Sequence, residues 1–196
     1  MILGLNSSPR RGGNSDTLLD RFLEGCSDQG TAVEKITIEG LDISLCSESE
    51  YFKCDKRGYS PVKDDMELIY PKVEQAVGIV VASPVFFGSV PAQLKKVIDR
   101  FQSVWVAREM KKMKVFDKRK KAAFLCVSAS NRVKFFEDSR SVVRNFFATI
   151  NAETSCELYV PGFEKKAEVA SSVEQMGRMF EAGRSFAAGC ALTEAE

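Results

Sequence analysis

Two stretches of this 196-residue chain gather residues that could do chemistry. The first is Asn6-Ser-Ser-Pro-Arg-Arg-Gly-Gly-Asn-Ser15, set between a short apolar run and a helical pattern. Ser7, Ser8, Arg10, Asn14 and Ser15 offer hydroxyl, amide and guanidinium donors, and Gly12 and Gly13 permit unusual backbone angles. A loop that ends at a helix start gathers free N–H groups and the positive end of a helix at one point, where a phosphate can sit. The other reading is an ordinary strand-to-helix turn capped by Asn14 or Ser15. The spacing is neither G-x-G-x-x-G nor Gly-Lys-Ser/Thr, so it is neither a dinucleotide fingerprint nor a P-loop. No cysteine stands ahead of Arg10, which argues against a cysteine phosphatase. Asn6 and Ser7 stand where a phosphorylated receiver would need an acidic cluster.

The second stretch runs from Ser83-Pro-Val-Phe-Phe-Gly-Ser89 to Ile98-Asp-Arg100. Pro84 and Gly88 shape a turn and Pro91 opens a helix. Either the phenylalanines are core, or a flat aromatic ligand packs against the backbone and rings of residues 84–88. The chain has no histidine, which removes imidazole bases, imidazole metal ligands and Ser-His or Cys-His nucleophiles. Cofactor chemistry survives, because there the organic molecule carries the hard step.

The elements that must position these loops alternate. Strands are predicted at 2–6, 32–38, 78–82, 122–128 and 155–160. Helices are predicted at 15–27, after an Asp64-Asp-Met-Glu67 cap, after Pro91, at 135–150 and at 165–191, the last with Val169, Val173, Met176, Phe180, Gly183 and Ala187 as its stripe. The runs Ile79-Val-Val and Ala123-Phe-Leu-Cys-Val lack polar alternation, as strands covered on both faces do. Strand and helix in strict alternation mean an α/β chain with a parallel, doubly wound sheet, whose ligands bind beyond the carboxyl ends of the strands. The length suits one domain, 1–196.

Composition narrows the partners. A net charge of +1, from 28 basic and 27 acidic residues, points to neither nucleic acid nor anionic membrane. No apolar run is long enough to span a bilayer, and Met1 leads directly into the first strand, so a cytoplasmic location is expected. Cys26 and Cys126 fall in apolar patterns and read as buried thiols rather than parts of a disulfide framework. Residues 41–63 and 104–121 are long irregular segments. The second holds eight basic residues between Arg108 and Lys121, read either as a solvated connection or as a site for the extra phosphate of NADPH or an anionic partner.

Together the two loops resemble the NAD(P)H-dependent FMN reductase family of flavodoxin-like proteins, and most of all its iron–sulfur flavoprotein branch. That branch reads Gly-Ser-Pro-Arg, a spacer, then Asn-Ser/Thr; Ser7-Ser8-Pro9-Arg10 and Asn14-Ser15 match, with Ser7 for glycine. The branch's second motif, Ser-Pro-Val-Tyr-Phe-Gly-Ser-Val-Ser-Ala-Gln-Leu-Lys, is matched with Phe86 for tyrosine and Pro91 for serine; Asp64-Asp65-Met66 also matches. The resemblance implies a flavodoxin-like three-layer sandwich with a five-stranded parallel sheet in the order 2-1-3-4-5. It implies FMN as cofactor, with Ser8, Arg10, Asn14 and Ser15 on the phosphate and Pro84, Val85, Phe86, Phe87, Gly88 and Ser89 beside the isoalloxazine. It further implies NAD(P)H as co-substrate, a small-molecule electron acceptor, and a homodimer or homotetramer. The branch's four-cysteine run is reduced here to Cys46 and Cys54, with Ser49 and Ser60 in the other places, so no iron–sulfur cluster is expected within one chain. A flavodoxin-like electron carrier and a non-catalytic binding protein on the same fold are the competing readings.

Overall fold

The structure is a computed structural model, and residues 1–194 are described. Its strands are β1 (Ile2–Asn6), β2 (Val33–Thr37), β3 (Gly78–Pro84), β4 (Lys120–Ser128) and β5 (Ala152–Pro161). They form one parallel sheet in the order β2-β1-β3-β4-β5, as expected. The helices are α1 (Asn14–Asp28), α2 (Glu48–Tyr51), α3 (Met66–Gln75), α4 (Ala92–Arg100), α5 (Gln102–Trp105), α6 (Val133–Thr149) and α7 (Val173–Glu194). A π-helical stretch (Val106–Met110) follows α5, and a 3₁₀ turn (Glu168–Ser171) precedes α7.

The apolar runs of β3 and β4 are buried on both faces because the two cores meet there. Leu3, Leu5, Ile79, Val81 and Phe124 face α3, α4 and α6; Ile2, Val80, Ala82, Ala123 and Leu125 face α1 and α7. The second core depends on two glycines. A Cβ on Gly25 would lie 2.1 Å from the Phe180 carbonyl oxygen, and one on Gly183 would lie 2.0 Å from that of Phe22. Only glycine lets α1 and α7 approach this closely. Both thiols expected to be buried are so: Cys26 and Cys126 have no exposure, and burial pushes each thiol up to about 12.

Two local expectations are corrected. The last helix starts at Val173, not Lys165, because Ala167 sits in the left-handed region (φ 57°) and breaks the pattern. Its buried face is Met179, Phe186, Ala187 and Cys190, whereas Val173 is 86% exposed. Asp64 and Glu67 form no capping box. Asp64 Oδ1 accepts the Met66 amide at 3.0 Å, and Glu67 pairs with Lys63 at 2.8 Å.

Candidate functional site

β1, β3 and β4 end together, and their loops surround a cavity of about 220 Å³. Ser8, Pro9, Arg10, Gly13, Asn14 and Ser15 line it from the first loop, Pro84, Val85 and Phe86 from the second. The two sequence-identified stretches thus meet at one point, 70 residues apart in the chain. They are tied across the sheet: the Ser7 amide and hydroxyl both donate to the Ala82 carbonyl, at 3.0 and 2.9 Å.

The first loop is folded by its own short side chains. The Asn6 carboxamide oxygen accepts the Ser8 amide (3.1 Å), and the Ser8 hydroxyl oxygen accepts the Arg10 amide (3.2 Å). A Cβ on Gly13 would lie 2.8 Å from the Arg10 carbonyl oxygen, so the tight turn into α1 requires glycine there. Gly13 occupies the N-cap position and brings no side chain to cap the helix, which leaves first-turn N–H groups for another acceptor. Ser15 is buried, lines the cavity, and its hydroxyl has no hydrogen-bond partner. A buried, orphaned hydroxyl beside an uncapped helix start is the donor set an anionic oxygen completes. Arg10 and Arg11 diverge: Arg10 faces this cavity, while Arg11 lines a separate groove with Asp16 and the end of β2.

The second loop is a tight turn. Phe86 and Ser89 exchange backbone hydrogen bonds at 2.8 and 3.0 Å around Phe87 (φ 49°) and Gly88 (φ 75°). Positive φ at both central positions defines a type I′ turn, which disfavours a side chain as large as phenylalanine at its first position. Phe86 flanks the cavity. Phe87 points away from it and is fully exposed; Gly88 packs by Phe135, and Ser89 closes the turn. Phe87, Gly88 and Ser89 therefore shape the rim without lining the cavity.

The sequence places the loop from Ser128 to Arg132 near the ligand without assigning contacts, and misses a second part of the lining. Val127, Ser128 and Ala129 come from the end of β4, and Phe163, Glu164 and Lys166 from the connection between β5 and α7. Of the second group, Lys166 hides inside a false helical pattern and Phe163 and Glu164 lie just ahead of it; only Pro161-Gly162 hinted at a turn.

The segment of residues 41–65 is closed on itself. Asp64 Oδ2 accepts the Ser44 amide at 2.9 Å and Asp65 Oδ2 the Asp42 amide at 2.7 Å; Asp55 Oδ1 accepts the Arg57 and Tyr59 amides at 2.8 and 2.9 Å. Arg100, 2% exposed, donates to Asp64 in a buried ion pair and to the Ser44 carbonyl. Burial pushes the Asp64 carboxyl up, but the Arg100 guanidinium and the Ser44 and Met66 amides outweigh it and hold the group below the usual carboxylate range. Cys54 accepts from Lys111 at 3.4 Å, and burial raises the Cys46 thiol. Among the described residues, no group of three or more His, Cys, Asp or Glu side chains is arranged to hold a metal ion.

The basic segment lies at the other end of the molecule. It leads into Lys120, the first residue of β4, and eight residues of strand at ~3.3 Å each separate it by about 25 Å from Ser128 at the cavity. Arg108 and Lys111 donate to the Thr149 and Phe52 carbonyls (3.0 and 2.7 Å), and Arg119 and Lys121 pair with Glu153 (2.9 and 3.0 Å). The segment therefore does not face the cavity of its own chain. No described helix is long and apolar enough to cross a membrane.

Residues 1–154 match the family model described as NADPH-dependent FMN reductase. An iron–sulfur flavoprotein of Archaeoglobus fulgidus is 36% identical over 107 residues, 55% of this chain and 53% of that protein. Another, from Methanocaldococcus jannaschii, is 31% identical over 110 residues, 56% of each chain. The matched stretch spans about half the length of these curated relatives. A solved NAD(P)H:quinone oxidoreductase from Methanothermobacter marburgensis superposes with a TM-score of 0.72 at 21% identity, covering 94% of both chains, and so shares the flavodoxin-like fold.

Proposed function

Because the chain belongs to the NADPH-dependent FMN reductase family, we propose that it is a single-domain FMN-dependent oxidoreductase. It passes electrons from NAD(P)H through the flavin to a small-molecule acceptor. The observation that carries this reading is the buried Ser15 hydroxyl, unpartnered in a cavity at the uncapped start of α1. A phosphate monoester there gains that hydroxyl, the first-turn N–H groups and the Arg10 guanidinium, and Ser8 joins them by turning its hydroxyl from the Arg10 carbonyl, to which it donates at 3.3 Å. Asn14 belongs to the same end of the site.

Pro84, Val85 and Phe86, facing Val127, Ser128 and Ala129, form the apolar slot for the isoalloxazine, with Phe87, Gly88 and Ser89 as its rim. FMN when bound supplies the hydride and electron chemistry. The chain's own residues bind the phosphate, orient the ring and keep one face open to the two substrates in turn. Phe86 brings no hydroxyl, so this side of the slot packs without donating a hydrogen bond. With NAD(P)H as co-substrate the reaction belongs in the cytoplasm. The working form is a homodimer or homotetramer without nucleic-acid or membrane partners. Cys46 and Cys54 cannot complete a four-thiolate cluster in one chain, so FMN is the redox group of this proposal.

The test is the visible spectrum of protein reconstituted with FMN, before and after anaerobic NADH or NADPH. Bound flavin that bleaches supports the enzyme. Bound flavin that stays oxidised favours an electron carrier, and no uptake sinks both.

A further inference from the structure

Residues 162–171 between β5 and α7 are held over the first loop chiefly by Asn14, with one further hydrogen bond from the Arg10 guanidinium to the Glu164 carbonyl at 3.4 Å. Asn14 Nδ2 donates to the Phe163 and Lys165 carbonyls at 3.3 and 2.9 Å, and Asn14 Oδ1 accepts the Val169 amide at 3.1 Å. Both carboxamide hydrogens are thereby used, and no donor is left for a ligand oxygen. The segment is braced from within and from both ends. Glu168 Oε2 accepts the Glu164 and Lys165 amides at 3.0 and 2.9 Å, the Phe163 amide donates to Ser128 O at 3.2 Å, and Val169 is buried in the α1–α7 core. The left-handed Ala167 turns the chain between these anchors. Lys166 then lines the cavity beside the first loop, its Cε 3.7 Å from where a Cβ added to Gly12 would stand. Among the described residues its ammonium has no acidic partner.

We propose that residues 162–171 are a strap that completes the anion end of the site: Lys166 supplies a second cation beside Arg10 for the ligand's phosphate, and Asn14 is a positioning residue that seats the strap rather than a phosphate donor. The proposal rests on the flavin reading above. Chemically it concerns only the terminal phosphate, because the Lys166 ammonium recognises an anion and the isoalloxazine and ribityl chain offer none. Riboflavin, which has the same ring and ribityl chain without the phosphate, is therefore the control ligand.

The experiment titrates the full-length protein, freed of flavin, with FMN and with riboflavin by flavin fluorescence. Lys166→Ala is expected to raise the FMN dissociation constant about fivefold, the upper end for a solvent-accessible charge pair, and to leave riboflavin unchanged; Lys166→Arg restores FMN binding. Asn14→Ala is expected to weaken FMN selectively too, and to add nothing to that selective loss in the Lys166→Ala background, as for residues acting through one contact. An unchanged FMN-to-riboflavin ratio in Lys166→Ala overturns the strap while leaving the flavin site intact. A further selective loss in the double variant makes Asn14 a direct phosphate ligand and overturns its positioning role. Wild-type protein that binds neither flavin overturns the flavin reading and the strap with it.

Discussion

Two polar loops lie close in sequence and behave oppositely. In the first, Asn6 and Ser8 satisfy just enough amides to set its shape, and the Ser15 hydroxyl and the start of α1 stay open toward the cavity. In the second, residues 41–65, Asp55, Asp64 and Asp65 accept the loop's own amides, and Arg100 neutralises Asp64 in the interior. Both are rich in side chains that hydrogen-bond. The difference is where the donors end: around the second loop on partners already present, save one Arg100 nitrogen (Nη2) buried without one, whereas in the first the Ser15 hydroxyl and the N–H groups at the start of α1 face a cavity. An open donor set recruits a ligand; a closed one holds a loop in place.

The largest expected effect falls on the closed loop. Asp64→Ala leaves the Arg100 charge buried and unpaired, so urea unfolding is expected to show a loss of about 3–5 kcal/mol. Because the folded Asp64 carboxyl is held below its unfolded value, its contribution is present above the unfolded pKa and is lost as pH falls through the folded one. Stability of the wild type should therefore drop in acid more steeply than that of Asp64→Asn. Equal acid profiles would break the contrast between the loops.

The next effect belongs to the open loop. Arg10→Ala is expected to weaken FMN binding by about 1.5–3 kcal/mol, the range for hydrogen bonds to charged groups, with the unfolding midpoint unmoved. Ser15→Ala sharpens the comparison further, because the two readouts diverge. FMN affinity should fall by about 1 kcal/mol, while the stability of the flavin-free protein should hold or rise, since a buried orphan hydroxyl is removed. A loss of stability in Ser15→Ala would show that this hydroxyl has a partner within the protein. The smallest effect concerns the turn beside the cavity. Phe87→Asn relieves a left-handed phenylalanine and should stabilise the protein by about 0.5–1 kcal/mol, measured by urea denaturation; an unchanged midpoint would mean that Phe87 sits there without strain.

The larger cavity makes the same point about open donors. A groove of about 530 Å³ runs among Asp99, Trp105, Arg108, Asn145 and Thr149 at the far end of the sheet. It has more than twice the volume of the sheet-end cavity, yet Arg108 is already used on the Thr149 carbonyl, and none of its lining atoms is a buried orphan. Size alone does not select a site.

How far each feature was legible follows from the range of the interaction behind it. β1, β3 and β4, the sheet order implied by the family motifs, and the two loops at the cavity could be read from the sequence because their signals are local: apolar runs, a glycine pair before a helix, a proline that opens one. Local spacing misled at residues 165–172, where a helical period is interrupted by the left-handed Ala167, and at Asp64 and Glu67, whose cap spacing forms no capping box. What the tertiary structure alone decided are contacts between residues far apart in the chain. It turned Arg10 and not Arg11 toward the cavity, matched Gly25 to Gly183, and buried Asp64 against Arg100. It also brought Lys166 over a loop 150 residues earlier through the carboxamide of Asn14. A sequence pattern records which backbone a segment prefers; which donor is left without a partner is settled only when every other segment has taken its place.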